Sequence, residues 1–210
     1  MDIELKEEFK GKTLRQKCWP MPQEDSQEIE KQVQELIEAK LVEPFPVGTF
    51  PQHCSPTFLV DKKESKTKRM VGQYVKLNSM TKPHAGFLPN MEEMIENMAK
   101  CKFKSKLDLR SGFWQVGLSK RAKELTAFTI PNGRIFRWLC MPFGLQGAPG
   151  VFQDMMEILI TKVKNSPGMQ DIVKRSFIGA FFDDCGLGTD SEEEHLQILE
   201  AFLKVCQEIM

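Results

Sequence analysis

Three features of the sequence predict a mixed α+β fold. Residues 24 to 41, EDSQEIEKQVQELIEAKL, repeat apolar side chains at Ile29, Val33, Leu36, Ile37 and Leu41, which is the helical period. Two β-rich runs, Leu125 to Ile130 and Arg134 to Leu139, flank Pro131-Asn132-Gly133, a strong hairpin signal. The short apolar run Phe177 to Phe182 has strand character and ends in two adjacent acids. Helical and extended segments are interspersed along the chain, with no internal repeat and no low-complexity tract.

In chain order, Asp25 and Glu28 have the spacing of a capping box for the first helix, and Pro44 and Pro46 are expected to end it. Thr57 to Val60 and Arg69 to Val75 read as strands around DKKESKTK, a basic turn that forms a candidate hairpin. Asn90 with Glu93 opens a short helix through Met98, whose Met91, Met94, Ile95 and Met98 are expected to be core. Phe103 to Leu109 reads as a strand ending near Asp108. Pro149 suits the first turn of a helix carrying Val151, Phe152, Met155, Met156, Leu159 and Ile160. Ser166 to Arg175 is polar, contains Pro167-Gly168 and reads as a loop. Ser191 and Glu194 form another capping-box spacing, opening a helix with Leu196, Leu199, Leu203 and Cys206 on one side.

At 210 residues the chain is long enough for one large domain or two lobes. Its 41% hydrophobic and 28% charged content is ordinary for a globular protein. No window approaches the ~18 consecutive apolar residues of a membrane span. The start MDIELKEEFKGK is too charged for a signal peptide. An intracellular location, cytoplasmic or nuclear, is therefore expected, with no membrane partner. The six cysteines form no C-x-x-C pair and have no histidine at ligand spacing, so reduced thiols are expected rather than a zinc site. Net charge is zero but uneven: residues 101 to 123 carry +6 and residues 183 to 210 carry −7. That asymmetry suits a polyanion track beside an acidic site, and it equally suits two solvated helix faces.

Asp183 and Asp184 stand side by side after an apolar run, where two neighbouring carboxylates repel and an unpaired buried one is costly. A cation should therefore sit beside them. A third acid, Asp108 in KLDL, has similar apolar flanks, and Gly112 nearby permits close backbone approach. Three carboxylates on adjacent strand ends suit two Mg²⁺ ions ~3.5 to 4 Å apart, an arrangement that serves phosphoryl transfer. A solvated acidic turn is the plainer reading of a DD pair taken alone.

The ordered segments KRMVGQYVKLN (68 to 78), KSKLDLRSGFWQV (104 to 116), FRWLCMPFGLQGAPGVFQ (136 to 153), FFDD (181 to 184) and SEEEHLQIL (191 to 199) resemble the reverse transcriptase domain of gypsy-type LTR retrotransposons. The resemblance implies a right-hand polymerase fold, with residues 1–23 an N-terminal extension and 24–210 fingers and palm, truncated before the thumb. It implies RNA-directed DNA polymerase activity, in which a primer 3′-hydroxyl attacks an incoming dNTP. Asp108, Asp183 and Asp184 would be the catalytic acids, and with the backbone of Leu109 they would hold two Mg²⁺ ions, with Mn²⁺ as a substitute. Lys62, Arg69, Gly112, Phe113 and Phe143 would serve the nucleotide, and Met141, Pro142, Gly144 and Phe181 the template and primer. The implied partners are an RNA or DNA template with primer, dNTP, and the thumb, connection and RNase H of a polyprotein.

Four residues depart from the family pattern. Gln73 and Val75 replace an acid and a base of the first motif, Phe181 lacks the usual tyrosine hydroxyl, and Phe182 is bulkier than the usual residue. These departures keep open a second reading, a catalytically impaired retroelement-derived scaffold that binds nucleic acid or a protein partner.

Overall fold

The computed structural model describes residues 1–61, 67–84, 86 and 89–209. In chain order they form β1 (Leu14–Arg15), α1 (Gln23–Glu38), β2 (Val42–Pro44), β3 (His53–Asp61), β4 (Lys68–Gly72), α2 (Val75–Met80), α3 (Met91–Lys100) and β5 (Phe103–Asp108). There follow α4 (Lys120–Leu125), β6 (Phe128–Thr129), β7 (Ile135–Trp138), α5 (Ala148–Lys164), α6 (Gln170–Val173), β8 (Phe177–Phe181), β9 (Asp184–Thr189) and α7 (Glu192–Ile209). The mixed α and β content agrees with the sequence expectation. These elements group into two compact units: Met1–Pro83 with Phe113–Ala148, and His84–Gly112 with Pro149–Met210.

The first unit is organised on a sheet of order β1-β3-β6-β7-β2, with β4 also paired to β3. The first half of β3, His53 to Thr57, is buried and runs parallel to β1 and β6. Its outer half pairs antiparallel with β4, from Thr57 opposite Gly72 to Asp61 opposite Lys68. The tip of that basic hairpin, residues 62 to 66 with Lys62, lies outside the described residues. Phe128, Phe136 and Trp138 pack ring against ring, and Ile29 and Val33 of α1 are also buried. The first residues join this unit through buried Ile3 and a bridge between Leu5 and Thr81.

Several boundaries in this unit differ from the sequence reading, each for a local reason. No side chain caps α1, because Asp25 pairs with Lys68 instead of closing a capping box. The helix ends at Glu38 and turns through Lys40 at φ +57, so Pro44 closes β2 rather than the helix. The run from Arg69 to Val75 divides: β4 ends at Gly72 and Val75 opens α2. Ser119 accepts a hydrogen bond from the Ala122 N–H and caps α4, which takes Leu125 out of the predicted strand. Gly133, at φ +85, makes the expected turn between β6 and β7.

The second unit has an antiparallel sheet of order β5-β9-β8. Strand β9 was absent from the sequence expectation because Gly186 and Gly188 weaken its β signal. Those glycines admit α3. A Cβ would lie 2.9 Å from Met98 Sδ at Gly186 and 2.7 Å from Cys101 Sγ at Gly188.

Helix α3 is capped by Asn90 as expected but buries none of its residues, and Met91 and Ile95 are exposed. The expected core role of its methionines is corrected: Met94 and Met98 rest on a glycine-rich strand surface without being enclosed. Helix α7 buries His195, Ile198, Phe202 and Val205, while Leu196 and Leu203 face solvent, one position away from the expected stripe. Part of the expected loop from Ser166 to Arg175 forms α6, whose Ile172 is buried. The cysteines are all free, with Cys54, Cys140 and Cys185 buried. Among the described residues no helix is long and apolar enough to cross a membrane.

Candidate active site

Strand pairing in the second unit brings the three acids to one end of its sheet. Asp108, the last residue of β5, lies opposite Asp184, the first residue of β9, and Phe181 at the end of β8 also pairs with Asp184. Asp183 stands in the turn between β8 and β9, and its carbonyl accepts a hydrogen bond from the Leu109 N–H at 3.1 Å. The Leu109 carbonyl accepts from the Gly112 N–H at 3.2 Å. Backbone bonds thus hold the chain after Asp108 against the acidic turn.

The turn itself is strained. Phe182 adopts φ +53, a left-handed conformation that costs a side-chain-bearing residue about 1–2 kcal/mol. Gln153 holds it there. From a buried position on α5, its Oε1 accepts from the Phe182 N–H at 3.0 Å and its Nε2 donates to the Ala180 carbonyl at 3.1 Å. Sequence reasoning assigned Gln153 no role. The available signal was a polar residue inside the apolar run GVFQDMMEIL, directly after the buried Phe152.

A cation that the sequence reading did not name, Lys106, stands beside the acids where magnesium was expected. Lys106 Nζ lies 2.9 Å from Asp184 Oδ1. That hydrogen bond, then the charge of Asp184 and those of Asp108 and Asp183, hold the Lys106 ammonium above its ordinary pKa. Asp108 and Asp183 are exposed and Asp184 half-buried, so solvent and Lys106 share the relief of their repulsion. The apolar run before the acids misled the reading of a buried pair, because the chain turns outward at Phe182.

Among the described residues, no three His, Cys, Asp or Glu side chains converge into a group that would hold a metal ion unaided. The donor chemistry nonetheless fits a hard divalent ion. Mg²⁺ is commonly held by one or two carboxylates, with waters and substrate phosphates filling the rest of its shell. Two cross-strand aspartates and a third in the adjoining turn supply that kind of oxygen donor.

Gly112 is buried in the same unit, where a Cβ would lie 2.5 Å from Phe152 Cζ. The first unit gathers the other residues singled out from the sequence. Phe113 and Phe143 have ring centroids 5.2 Å apart, and the Arg69 guanidinium sits 5.5 Å from the Phe143 centroid. Trp114 extends this cluster to Trp138. Phe143 is 37% exposed, so its ring remains open to a ligand. Met141 and Pro142, which precede it, are buried, and Gly144 turns at φ +91 with its carbonyl accepting from Asn78 Nδ2. Of the departures, Gln73 donates its N–H to the Pro56 carbonyl and Val75 is exposed at the start of α2. Phe181 and Phe182 pack edge to face, 4.7 Å between centroids.

The three acids thus gather at one strand end of the second unit, and the aromatic cluster of the first unit carries Arg69. Residues 60–209 match the family described as reverse transcriptase (RNA-dependent DNA polymerase), and the chain belongs to that family. Such domains use divalent metal ions, in keeping with the oxygen donors at the strand end. The chain is 32% identical over 211 aligned positions to the enzymatic polyprotein of Cauliflower mosaic virus (strain Strasbourg), covering 99% of this chain and 29% of that protein. It is 33% identical to the enzymatic polyprotein of Figwort mosaic virus, covering 93% of this chain and 28% of the relative. Polyprotein P3 of Commelina yellow mottle virus is 31% identical, covering 88% of this chain and 9% of the relative. The chain therefore spans less than a third of the length of these relatives.

Proposed function

We propose that this chain is the RNA-directed DNA polymerase domain of a retroelement polyprotein of the gypsy-type lineage, adding dNTPs to a primer 3′-hydroxyl. The observation that carries the reading is the placement of Asp108, Asp183 and Asp184 at one strand end within a chain of the reverse transcriptase family. In this reading the second unit is the palm and the first the fingers of a right-hand polymerase fold.

Asp108, Asp183 and Asp184 hold two Mg²⁺ ions, for which Mn²⁺ can substitute, with the Leu109 backbone beside them. Bound divalent ions supply charge neutralisation on the triphosphate and a more acidic 3′-hydroxyl. The protein's own contribution is positioning. Gln153 and the Leu109 N–H fix the turn that carries Asp183. Arg69 and Lys62 serve the triphosphate, Phe113 lies against the sugar where a 2′-hydroxyl would be excluded, and Phe143 walls the nucleotide site. Gly112 allows the close chain approach beside Asp108. Met141, Pro142, Gly144 and Phe181 serve the template and primer. RNA or DNA template, primer and dNTP are the partners, together with the thumb, connection and RNase H of the polyprotein. The proposed setting is intracellular, cytoplasmic or nuclear.

Primer extension on an RNA template with Mg²⁺ and a single complementary dNTP, at low salt and high protein concentration, tests this reading. Addition of one templated nucleotide supports it. Template binding without addition would favour the second reading, a retained scaffold, which the Gln73 and Val75 replacements motivate.

A further inference from the structure

Lys106 is absent from the machinery that the resemblance implies, yet it makes a direct side-chain contact to one of the three acids. It lies two residues before Asp108 on the exposed side of β5, diagonal to Asp184 on β9, a separation that a long side chain spans. The residues opposite Lys104 and Lys106 are Gly188 and Gly186, so no side chain from β9 stands between Lys106 and the acid. Lys104 shares the strand face but enters no ion pair among the described residues. The contact thus depends on position along the strand and not on a general excess of base.

We propose that Lys106 is a resident counter-cation of Asp184, neutralising it in the metal-free protein and yielding the carboxylate when a divalent ion arrives. This inference rests on the reading of Asp184 as a metal-binding acid. The ammonium occupies Asp184 Oδ1 and offsets the negative charge that a divalent ion would bind, so the pair competes with the ion and weakens metal binding. Freed from Asp184, Lys106 stays close to the three acids as a flexible positive charge.

Titrating Mn²⁺ into the nucleotide-free chain, with unbound Mn²⁺ read by electron paramagnetic resonance, tests this without any measurement of activity. The probes are wild type, Lys106→Gln, Lys106→Arg, Lys104→Gln and Asp184→Asn, with circular dichroism to check each fold. Lys106→Gln is expected to bind Mn²⁺ about two- to fivefold more tightly, the range expected from losing one exposed ion pair. Lys106→Arg, which keeps the pair, is expected to match wild type. Equal tightening by Lys104→Gln would overturn the proposal, since a general field would then explain the effect. Unchanged affinity in Lys106→Gln, with binding lost in Asp184→Asn, would overturn it while leaving the metal site standing. Absence of Mn²⁺ binding in wild type would remove the metal reading beneath it and the proposal together.

Discussion

Replacing Gln153 with leucine tests how the acidic turn is held. The substitution removes both bonds of a side chain only 1% exposed while keeping an apolar body of similar size in α5. The two losses are unequal. The Ala180 carbonyl has a second lone pair and lies within the β8–β9 pairing, whereas the Phe182 N–H is a single donor whose acceptor is Gln153 Oε1. Leaving that N–H unpaired costs about 1–3 kcal/mol. The left-handed Phe182 backbone then loses the bond that opposes its strain, so the turn should relax first. We expect Gln153→Leu to lower unfolding stability by about 1–3 kcal/mol in chemical denaturation followed by circular dichroism. Displacing a reacting group by an ångström costs on the order of a hundredfold. Nucleotide addition well below the melting temperature, where the variant remains folded, should therefore fall by up to about a hundredfold. Wild-type stability together with wild-type extension would refute the claim that Gln153 positions the turn.

Two further predictions concern burial. A Cβ at Gly112 meets the fully buried Phe152 ring, so Gly112→Ala should destabilise the fold by about 1–3 kcal/mol, read as a lowered denaturation midpoint. His53 is 2% exposed, both its ring nitrogens lack a hydrogen-bond partner among the described residues, and burial holds its pKa below the ordinary 6.5. The unfolded chain therefore takes up a proton near pH 6.5 that the folded chain refuses. Stability should be intact above that pH and fall below it, at no more than about 1.4 kcal/mol per pH unit from this group. His53→Leu should flatten that part of the profile, and an unchanged slope would mean another group sets it.

Much of the second unit was legible because its signals are local. Asn90 caps α3, Phe103 to Asp108 alternate as an edge strand, and the apolar run from Phe177 ends at the acidic turn. What escaped depended on partners distant in sequence. Strand β9 forms across Gly186 and Gly188 because α3 packs where side chains would otherwise stand. The buried face of α7 follows His195, whose ring bonds Ser105 and Thr189, and not the neighbouring leucines. At the candidate site, the order of motifs pointed to the acids and to Phe143. The sequence pointed to magnesium beside the acids and not to the lysine on Asp184, since Lys106, two residues before Asp108 on the neighbouring strand, becomes visible only once the register is known. Gln153 was hidden for the same reason, because its partners lie 27 and 29 residues away.

Single-nucleotide addition by Asp183→Asn, beside Asp190→Asn as a control, tests the central claim most directly. Asp190 is an exposed acid at the far end of β9 whose carboxylate accepts from the Lys102 N–H, so its loss removes similar charge outside the site. If the three acids at the strand end carry nucleotidyl transfer, Asp183→Asn should lose at least about a hundredfold in rate, several kcal/mol of transition-state stabilisation, while Asp190→Asn extends primers like wild type. Extension by Asp183→Asn at the wild-type rate would contradict the account.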